Sequence, residues 1–120
     1  MSRPASPRMR KVNEALREVI AEEIAGLKDP RIAFVTVTEV SCAPDLRTAR
    51  VYYSVMGSGA EARATAAALA SAGRKIQGAV ARRVRLKYTP VLHFAVDPSI
   101  EQGVRISEIL RQIEGGDEDP

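Results

Sequence analysis

The 120-residue sequence predicts one α+β domain in which helices cover one side of a three-stranded sheet. Three observations predict this class. Apolar residues recur at helical spacing near the N-terminus, apolar and polar residues alternate in three short segments, and an alanine-rich segment precedes the third of them. The predicted order is helix, strand, strand, helix, helix, strand and a last helix. Residues 1–113 are assigned to this domain, with a basic N-terminal arm, and residues 114–120 to an acidic tail.

The first helix is expected from about Pro7 to Leu27. Ser6 is a suitable N-cap, Pro7 fits the first helical position, and Gly26 lies near the end. Asp29-Pro30 then stops the helix, because the residue before a proline disfavours helical backbone angles. One apolar stripe runs along this helix and consists of Met9, Val12, Leu16, Ile20, Ile24 and Leu27.

Two strands follow the first helix. Apolar and polar residues alternate over residues 33–38 and again over residues 49–56. The intervening segment Ser41 to Leu46 contains Ala43-Pro44-Asp45 and predicts the connecting turn or a bulge. So short a connection favours an antiparallel hairpin.

The middle of the chain is strongly helical. Residues 60–72 hold eight alanines in thirteen positions, and alanine is the best helix former. A second helical segment, Arg74 to Leu86, spaces its large apolar residues one turn apart. Gly73 lies between the two segments and favours a break or a kink. The sequence therefore predicts two helices that meet at Gly73, close to their neighbours because alanine has so little bulk.

The last part of the chain predicts a strand and a helix. Apolar and polar residues alternate again over Val91 to Val96, and His93 falls on the more polar side of this strand. A surface or partly packed histidine explains this position better than a catalytic one. Ser99 and Gln102 form a capping box for the last helix. The acidic tail, residues 114–120, is expected to be frayed or disordered.

The formal net charge of +3, from 18 basic and 15 acidic residues, hides an uneven distribution. Residues 74–88 carry six basic residues and no acid, and residues 1–11 carry four and no acid. Residues 12–30 carry five acids against two basic residues, and from residue 89 onward there are seven acids against two arginines. A solvated helix face is the usual explanation of a charge run, but six uncompensated cations favour a polyanionic partner.

Helical geometry groups most of these cations. At about 100° per residue, Arg74, Lys75, Arg82 and Arg85 share an arc of about 100° that also contains Gly78. Arg83 lies at the edge of the apolar side, so it is either structural or bends around the helix end. Few aromatic residues are free to stack on bases, so recognition of the backbone and shape of a structured RNA fits best. The RNA-binding candidates are Arg74, Lys75, Arg82, Arg83, Arg85 and Lys87, with Arg8, Arg10 and Lys11 from the N-terminal arm.

Catalysis, metal binding and membrane insertion have little support. The sequence has no histidine–carboxylate pair, no metal-ligand spacing and no GxSxG or P-loop motif, and Gly57-x-Gly59 lacks the third glycine of a dinucleotide motif. Cys42 is the single cysteine and cannot form an intramolecular disulfide. No apolar run approaches the roughly 18 residues of a membrane span, and no secretory signal is present. We therefore expect a soluble, cytoplasmic protein that is not an enzyme and uses no metal or cofactor.

Short motifs follow one another from about residue 8 to residue 111. They are Asp29-Pro30-Arg31-Ile32, Val37-Thr38-Glu39-Val40, Asp45-Leu46-x-x-Ala49-x-Val51-Tyr52, Arg83-Val84-Arg85-Leu86-Lys87, Thr89-Pro90-x-Leu92-x-Phe94 and Asp97-x-Ser99-Ile100-Glu101-x-Gly103-x-Arg105-Ile106. Each motif alone is weak, but their order and spacing together are specific. The chain resembles the ribosome-binding factor A family.

This resemblance implies a type II K-homology fold and a non-catalytic role in ribosome assembly. Members bind the free small (30S) ribosomal subunit and its 16S rRNA late in assembly. They aid maturation of the 16S rRNA 5′ end and support growth in the cold. A ribosome-associated GTPase helps to release them, and a monomer is expected.

The resemblance also implies a kink between two helices. K-homology domains usually have a GxxG loop there, whereas this family has an alanine-centred AxG kink. The aligned residues are Ala72-Gly73-Arg74, with arginine in place of the usual final glycine. A shifted alignment, Ser71-Ala72-Gly73, keeps the glycine but loses the alanine. Ala72 and Gly73 are therefore the candidate kink residues.

The alternative is a protein–protein interaction module that docks on a ribosomal protein or a ribosome-associated GTPase. The acidic last helix and tail, around Glu101 and Glu108, would then matter more than the basic residues. A nuclease role ranks third, because no catalytic residues support it.

Overall fold

The structure is a computed structural model that describes residues 6–32 and 34–98. The predicted last helix after Ser99 and the acidic tail 114–120 lie outside the described residues, as does Arg3 of the N-terminal arm. The elements are α1 Pro7–Ala25, β1 Phe34–Cys42, β2 Thr48–Met56, α2 Gly59–Arg83 and β3 Val91–Val96.

The three strands form one sheet in the order β1-β2-β3. β1 and β2 pair antiparallel, from Phe34 opposite Met56 to Cys42 opposite Ala49, so the predicted hairpin is confirmed. β3 pairs parallel with β2, from Thr48 beside Val91 onward, and the third strand is also confirmed. A parallel pair requires a crossover connection, which here is α2.

The register puts the buried apolar side chains of β1 and β2 on the face that the helices cover, whereas Phe34 and Met56 at the other end of the hairpin are exposed. Val37 and Tyr53 are cross-strand partners on this face, as are Val40 and Val51. Leu16 and Ile20 of α1, and Leu69 and Ile76 of α2, are fully buried in the same core. The other face carries polar residues, including His93, which is exposed as the alternation predicts.

A bulge in β1 explains why this strand is longer than predicted. Val37 and Val40 are three residues apart, so a regular strand would place them on opposite faces. The pairing shifts between Val37 and Glu39, and both valines consequently face the core. The Thr38 hydroxyl at the bulge donates to an Asp97 carboxylate oxygen at 2.6 Å. Strand β1 therefore continues to Cys42, and the predicted turn is confined to residues 43–47.

Helix α1 begins as predicted and ends two residues early. The Ser6 hydroxyl accepts the Met9 N–H at 3.2 Å, which confirms the N-cap, and Gly26 caps the other end. The Asn13 side-chain oxygen accepts the Cys42 N–H at 2.9 Å. This bond fixes the start of α1 at the end of the sheet where the hairpin turns.

Helix α2 corrects the prediction of two helices. It is continuous over 25 residues, begins with a capping box between Ser58 and Glu61, and contains Ala72 and Gly73 in its middle. A glycine inside a helix costs about 1 kcal/mol relative to alanine. Burial of Leu69 and Ile76 on either side outweighs that cost, since burying one such side chain stabilises by about 1.5–3 kcal/mol. The helix also ends at Arg83 rather than at Leu86, so Arg85 lies in the following loop.

Replacing Gly73 by alanine tests the continuity of α2. A Cβ at this position would meet no atom within 4 Å. Gly73→Ala should therefore raise the free energy of unfolding by about 0.5–1 kcal/mol, because alanine is the better helix former. Urea denaturation followed by circular dichroism measures this change.

Gly57→Ala is the control for that experiment. Gly57 has a φ of +138°, and a Cβ there would lie 2.9 Å from the Glu61 side chain, so this variant should be less stable than the wild type. Loss of stability in Gly73→Ala as well would show that residue 73 departs from helical geometry.

Candidate nucleic-acid interface

The basic face of α2 consists of Arg74, Lys75 and Arg82. All three side chains are exposed, and none forms an ion pair with a carboxylate of the described ranges. Gly78 lies between them on the helix surface, and a Cβ built at Gly78 would be 3.4 Å from an Arg82 guanidinium nitrogen. The missing side chain at Gly78 leaves room for the Arg82 guanidinium over the helix backbone.

Arg85 and Lys87 lie in the loop between α2 and β3, and both are exposed. Next to them, Tyr88 is 39% exposed and has two cations near its ring. The Arg47 guanidinium carbon is 4.5 Å from the ring centroid, and the Lys87 ammonium nitrogen is 5.5 Å from it. Both distances are within the range of cation–π attraction.

Sequence reasoning missed Arg47. Arg47 is the one basic residue of the hairpin turn, and no pattern of charges along the sequence connects it with residues 85–88. The two segments become neighbours only because β2 and β3 pair in parallel, which places the start of both strands at one end of the sheet. The Val91 N–H donates to the Arg47 carbonyl at 2.9 Å at that end.

Arg83 has a different environment from the other cations of α2. Its guanidinium forms ion pairs with Glu22 and Glu23 of α1. The hydrogen bond to Glu22 is the main reason why the pKa of Arg83 lies above its ordinary value. Arg83 therefore connects the two helices, in agreement with the structural interpretation of its position.

The candidate residues of the N-terminal arm are part of α1. Arg8, Arg10 and Lys11 are exposed on its first turns. Arg8 lines a shallow cleft of about 200 Å³ together with Pro44 and Leu46 of the hairpin turn. The basic end of α1 consequently lies beside the turn that carries Arg47.

A groove between α2 and β3 adjoins the basic face. It has a volume of about 370 Å³, and its helix side is formed by the small residues Ala66, Ala70 and Gly73 around Leu69. Its sheet side is formed by Tyr53, Leu92, His93 and Phe94. The sequence predicts close approach of the alanine-rich helix to its neighbours. On this side of α2, however, the small alanine side chains leave open space between the helix and the sheet. Arg74 is not part of the lining; at about 100° per residue it lies between Ala70 of the groove and Gly78 of the basic face around the axis of α2.

The single cysteine thiol is not placed for covalent chemistry. Cys42 is buried, and burial raises the pKa of its thiol, which makes it a poor nucleophile. Residues 6–32 and 34–98 contain no cluster of three or more histidine, cysteine, aspartate or glutamate side chains that could hold a metal ion. No helix in these ranges has both the length and the apolar character needed to cross a membrane.

Helices on one face of a three-stranded sheet, with a groove beside a basic helix, define an α+β domain of the K-homology-like class. The family model of ribosome-binding factor A matches residues 8–110, and the chain belongs to this family. Ribosome-binding factor A of Geobacter sulfurreducens is 44% identical over 108 residues, which cover 89% of this chain and 92% of that protein.

A crystal structure and a fitted homology model of the Thermus thermophilus factor support the fold. The crystal structure of ribosome-binding factor A from Thermus thermophilus is 32% identical, with a TM-score of 0.67 over 73% of this chain and 94% of that one. A homology model of the Thermus thermophilus factor, fitted into a cryo-EM map of its complex with the 30S subunit, is 34% identical. Its TM-score is 0.56, and the match covers 70% of this chain and 89% of that one. The K-homology-like fold class is thereby confirmed.

Charge reversal at Arg83 tests its role between the helices. Arg83→Glu should lower the melting temperature, because it places a third carboxylate beside Glu22 and Glu23. Adding Glu22→Arg should restore part of the loss. Thermal denaturation followed by circular dichroism measures both effects.

Arg82→Glu is the matched control, because Arg82 is a neighbouring exposed arginine without a carboxylate partner in residues 6–32 and 34–98. Its melting temperature should fall much less than that of Arg83→Glu, because only a favourable charge in the last turn of α2 is lost. An equal loss of stability in both variants would contradict the assignment of Arg83 to the contact between the helices.

Proposed function

We propose that this protein is a non-catalytic assembly factor that binds the 30S ribosomal subunit through its 16S rRNA during late maturation. Membership of the ribosome-binding factor A family supports this function. The Thermus thermophilus relative that was fitted into a 30S complex map supports the small subunit as the partner.

One observation carries the proposal, namely the set of exposed cations along α2 and the loop after it. They are Arg74, Lys75, Arg82, Arg85 and Lys87, and none forms an ion pair within residues 6–32 and 34–98. Such cations are free to neutralise phosphates and release the counterions that surround a nucleic acid. Phosphate contacts fix the position of a protein on RNA without reading its sequence.

The groove between α2 and β3 supplies a second kind of contact. Its apolar lining, which includes Leu92 and Phe94, fits the face of an unstacked RNA base. Tyr53 lies in the same groove, and burial raises the pKa of its hydroxyl, so this group stays neutral. A base in the groove would have its own phosphate close to Arg74. RNA with an unpaired base next to a helix therefore suits this surface better than a regular duplex.

A role in 16S rRNA maturation follows from the same binding step. By holding one conformation of immature 16S rRNA, the protein would favour correct maturation of its 5′ end without cutting any bond. Incorrect RNA pairings persist longer at low temperature, which accounts for a role in growth in the cold. The protein would act as a cytoplasmic monomer, and a ribosome-associated GTPase would assist its release.

Charge reversal on the basic face tests the proposal. Arg82→Glu combined with Arg85→Glu should abolish cosedimentation with 30S subunits, because both side chains would then repel phosphates. The fold should persist, since both side chains are exposed. For the wild type, neutralising about five phosphates predicts that log affinity falls against log salt with a slope of about −3.5 to −4.5.

The control carries the same change in net charge away from this face. Arg63→Glu with Lys28→Glu changes two cations at the start of α2 and in the loop after α1, both at least partly exposed. This variant should cosediment with 30S subunits much better than the first. Unchanged cosedimentation of the Arg82/Arg85 variant, or binding that does not respond to salt, would overturn the electrostatic part of the proposal.

Docking on a ribosomal protein or a ribosome-associated GTPase is the second candidate function. Phe34 and Met56 favour it, because these cross-strand partners are 81% and 73% exposed. Exposed apolar side chains that adjoin one another are typical of protein contact sites.

Truncation after Ile113 tests whether docking uses the acidic tail, residues 114–120. RNA binding through α2 predicts near-normal affinity for 30S subunits, because the acidic tail repels phosphates. Docking through the acidic C-terminal region predicts a clear loss of affinity. Quantitative cosedimentation of the truncated chain at fixed salt decides between these outcomes.

A further inference from the structure

The backbone of Arg47 is fixed on two sides. The Asp45 side chain accepts the Arg47 N–H at 3.1 Å, and the Arg47 carbonyl accepts the Val91 N–H at 2.9 Å. Between Asp45 and Arg47, Leu46 has a φ of +64°, a conformation that is strained for a residue with a side chain. Burial of the Leu46 side chain in the core, where it is only 9% exposed, holds the turn in this conformation. The position from which the Arg47 side chain leaves the turn is therefore well defined.

The Arg47 side chain packs on the Tyr88 ring, and within residues 6–32 and 34–98 its hydrogen-bond donors have no carboxylate partner. Its guanidinium carbon lies 4.5 Å from the centroid of the Tyr88 ring, and this contact involves the π system of the ring. Guanidinium has five N–H donors in a planar fork, which matches the oxygens of a phosphate. Within residues 6–32 and 34–98, the Arg47 guanidinium forms neither an ion pair nor a hydrogen bond to a carboxylate. A positioned guanidinium with free donors is suited to binding an anion.

The surroundings of Arg47 are mainly basic. Lys87 lies near the same ring, and Arg8 lines a shallow cleft together with Pro44 and Leu46 of the same turn. The acid of the turn, Asp45, uses one carboxylate oxygen to accept the Arg47 N–H. Three cations from α1, the hairpin turn and the loop after α2 therefore gather at one end of the sheet. An extended polyanion can contact this end and the basic face of α2 together.

We propose that Arg47 and Lys87 form a second phosphate-binding site for RNA, in which Tyr88 is the positioning residue. The site continues the basic face of α2 around the hairpin end of the sheet and holds the RNA backbone at a second point. The proposal rests on the proposed rRNA binding and adds the contact that sets the orientation of the RNA across the domain. Tyr88 acts through the cations, because its ring limits the conformations of Arg47 before RNA arrives.

Binding of purified 30S subunits by full-length variants tests this site. Arg47→Ala should weaken binding by about tenfold, the usual effect of losing one charged hydrogen bond. Its log–log salt dependence should become shallower by about 0.7–0.9, the change expected for one lost phosphate contact. Tyr88→Leu should weaken binding while leaving net charge unchanged, and Tyr88→Phe should bind like the wild type, because the ring is retained.

Arg63→Ala is the matched control, because it removes one arginine at the start of α2. It should change affinity by less than about twofold, as expected for a charge without a phosphate partner. Circular dichroism melting of each variant separates folding from binding. Loss of stability in Tyr88→Leu without weaker binding by the folded protein would show a purely structural role and overturn the proposal.

The two proposals fail in different ways. If Arg47→Ala matches Arg63→Ala in affinity and salt dependence, the second site is overturned. The proposed rRNA binding through α2 still stands in that case, provided that the Arg82/Arg85 variant loses binding. Normal binding by the Arg82/Arg85 variant with a loss in Arg47→Ala would show that the hairpin end is the main contact. Normal binding by both variants would overturn both proposals.

Discussion

The parallel pairing of β2 with β3 is the constraint on which the rest of the structure depends. A parallel pair cannot be joined by a tight turn, so the chain must cross one face of the sheet, and α2 makes this crossing. The crossing buries Leu69 and Ile76 and leaves the cations of α2 on the outer surface. It also returns the chain to the start of β2, which brings Tyr88 and Lys87 to Arg47. Core and candidate interface therefore have the same geometric origin.

Charge separation between the two helices is the second organising feature. Three of the four glutamates of α1 form ion pairs within the fold: Glu22 and Glu23 pair with Arg83, and Glu14 pairs with Arg17. The hydrogen bond from Arg17 lowers the pKa of Glu14 below its ordinary value. The cations on the outer side of α2 have no such partners in residues 6–32 and 34–98. A modest net charge can thus coexist with a surface that attracts RNA.

Much of this could be predicted from the sequence, because local patterns determine it. Ser6, the apolar stripe of α1 and the alternation in the strands act over a few residues, and the corresponding elements are confirmed. The low helix propensity of Gly73 predicts a break between two helices. The structure has one continuous helix, because burial of the neighbouring side chains outweighs this propensity. The bulge at Thr38 and the position of Arg47 depend on pairing between strands, which no local pattern shows. In the candidate interface, helical spacing predicts that Arg74, Lys75 and Arg82 share one side of the helix. The place of Arg47 beside Tyr88 is visible only in the tertiary structure.

The central claim is that the outer side of α2 and the hairpin end of the sheet face 16S rRNA. A cryo-EM map of this protein bound to an immature 30S subunit tests it most directly. The account predicts rRNA phosphates beside Arg74, Arg82 and Arg47, with the acidic side of α1 turned away from the RNA. Density that places α1 or the open face of the sheet against rRNA, with the cations of α2 in solvent, would contradict it.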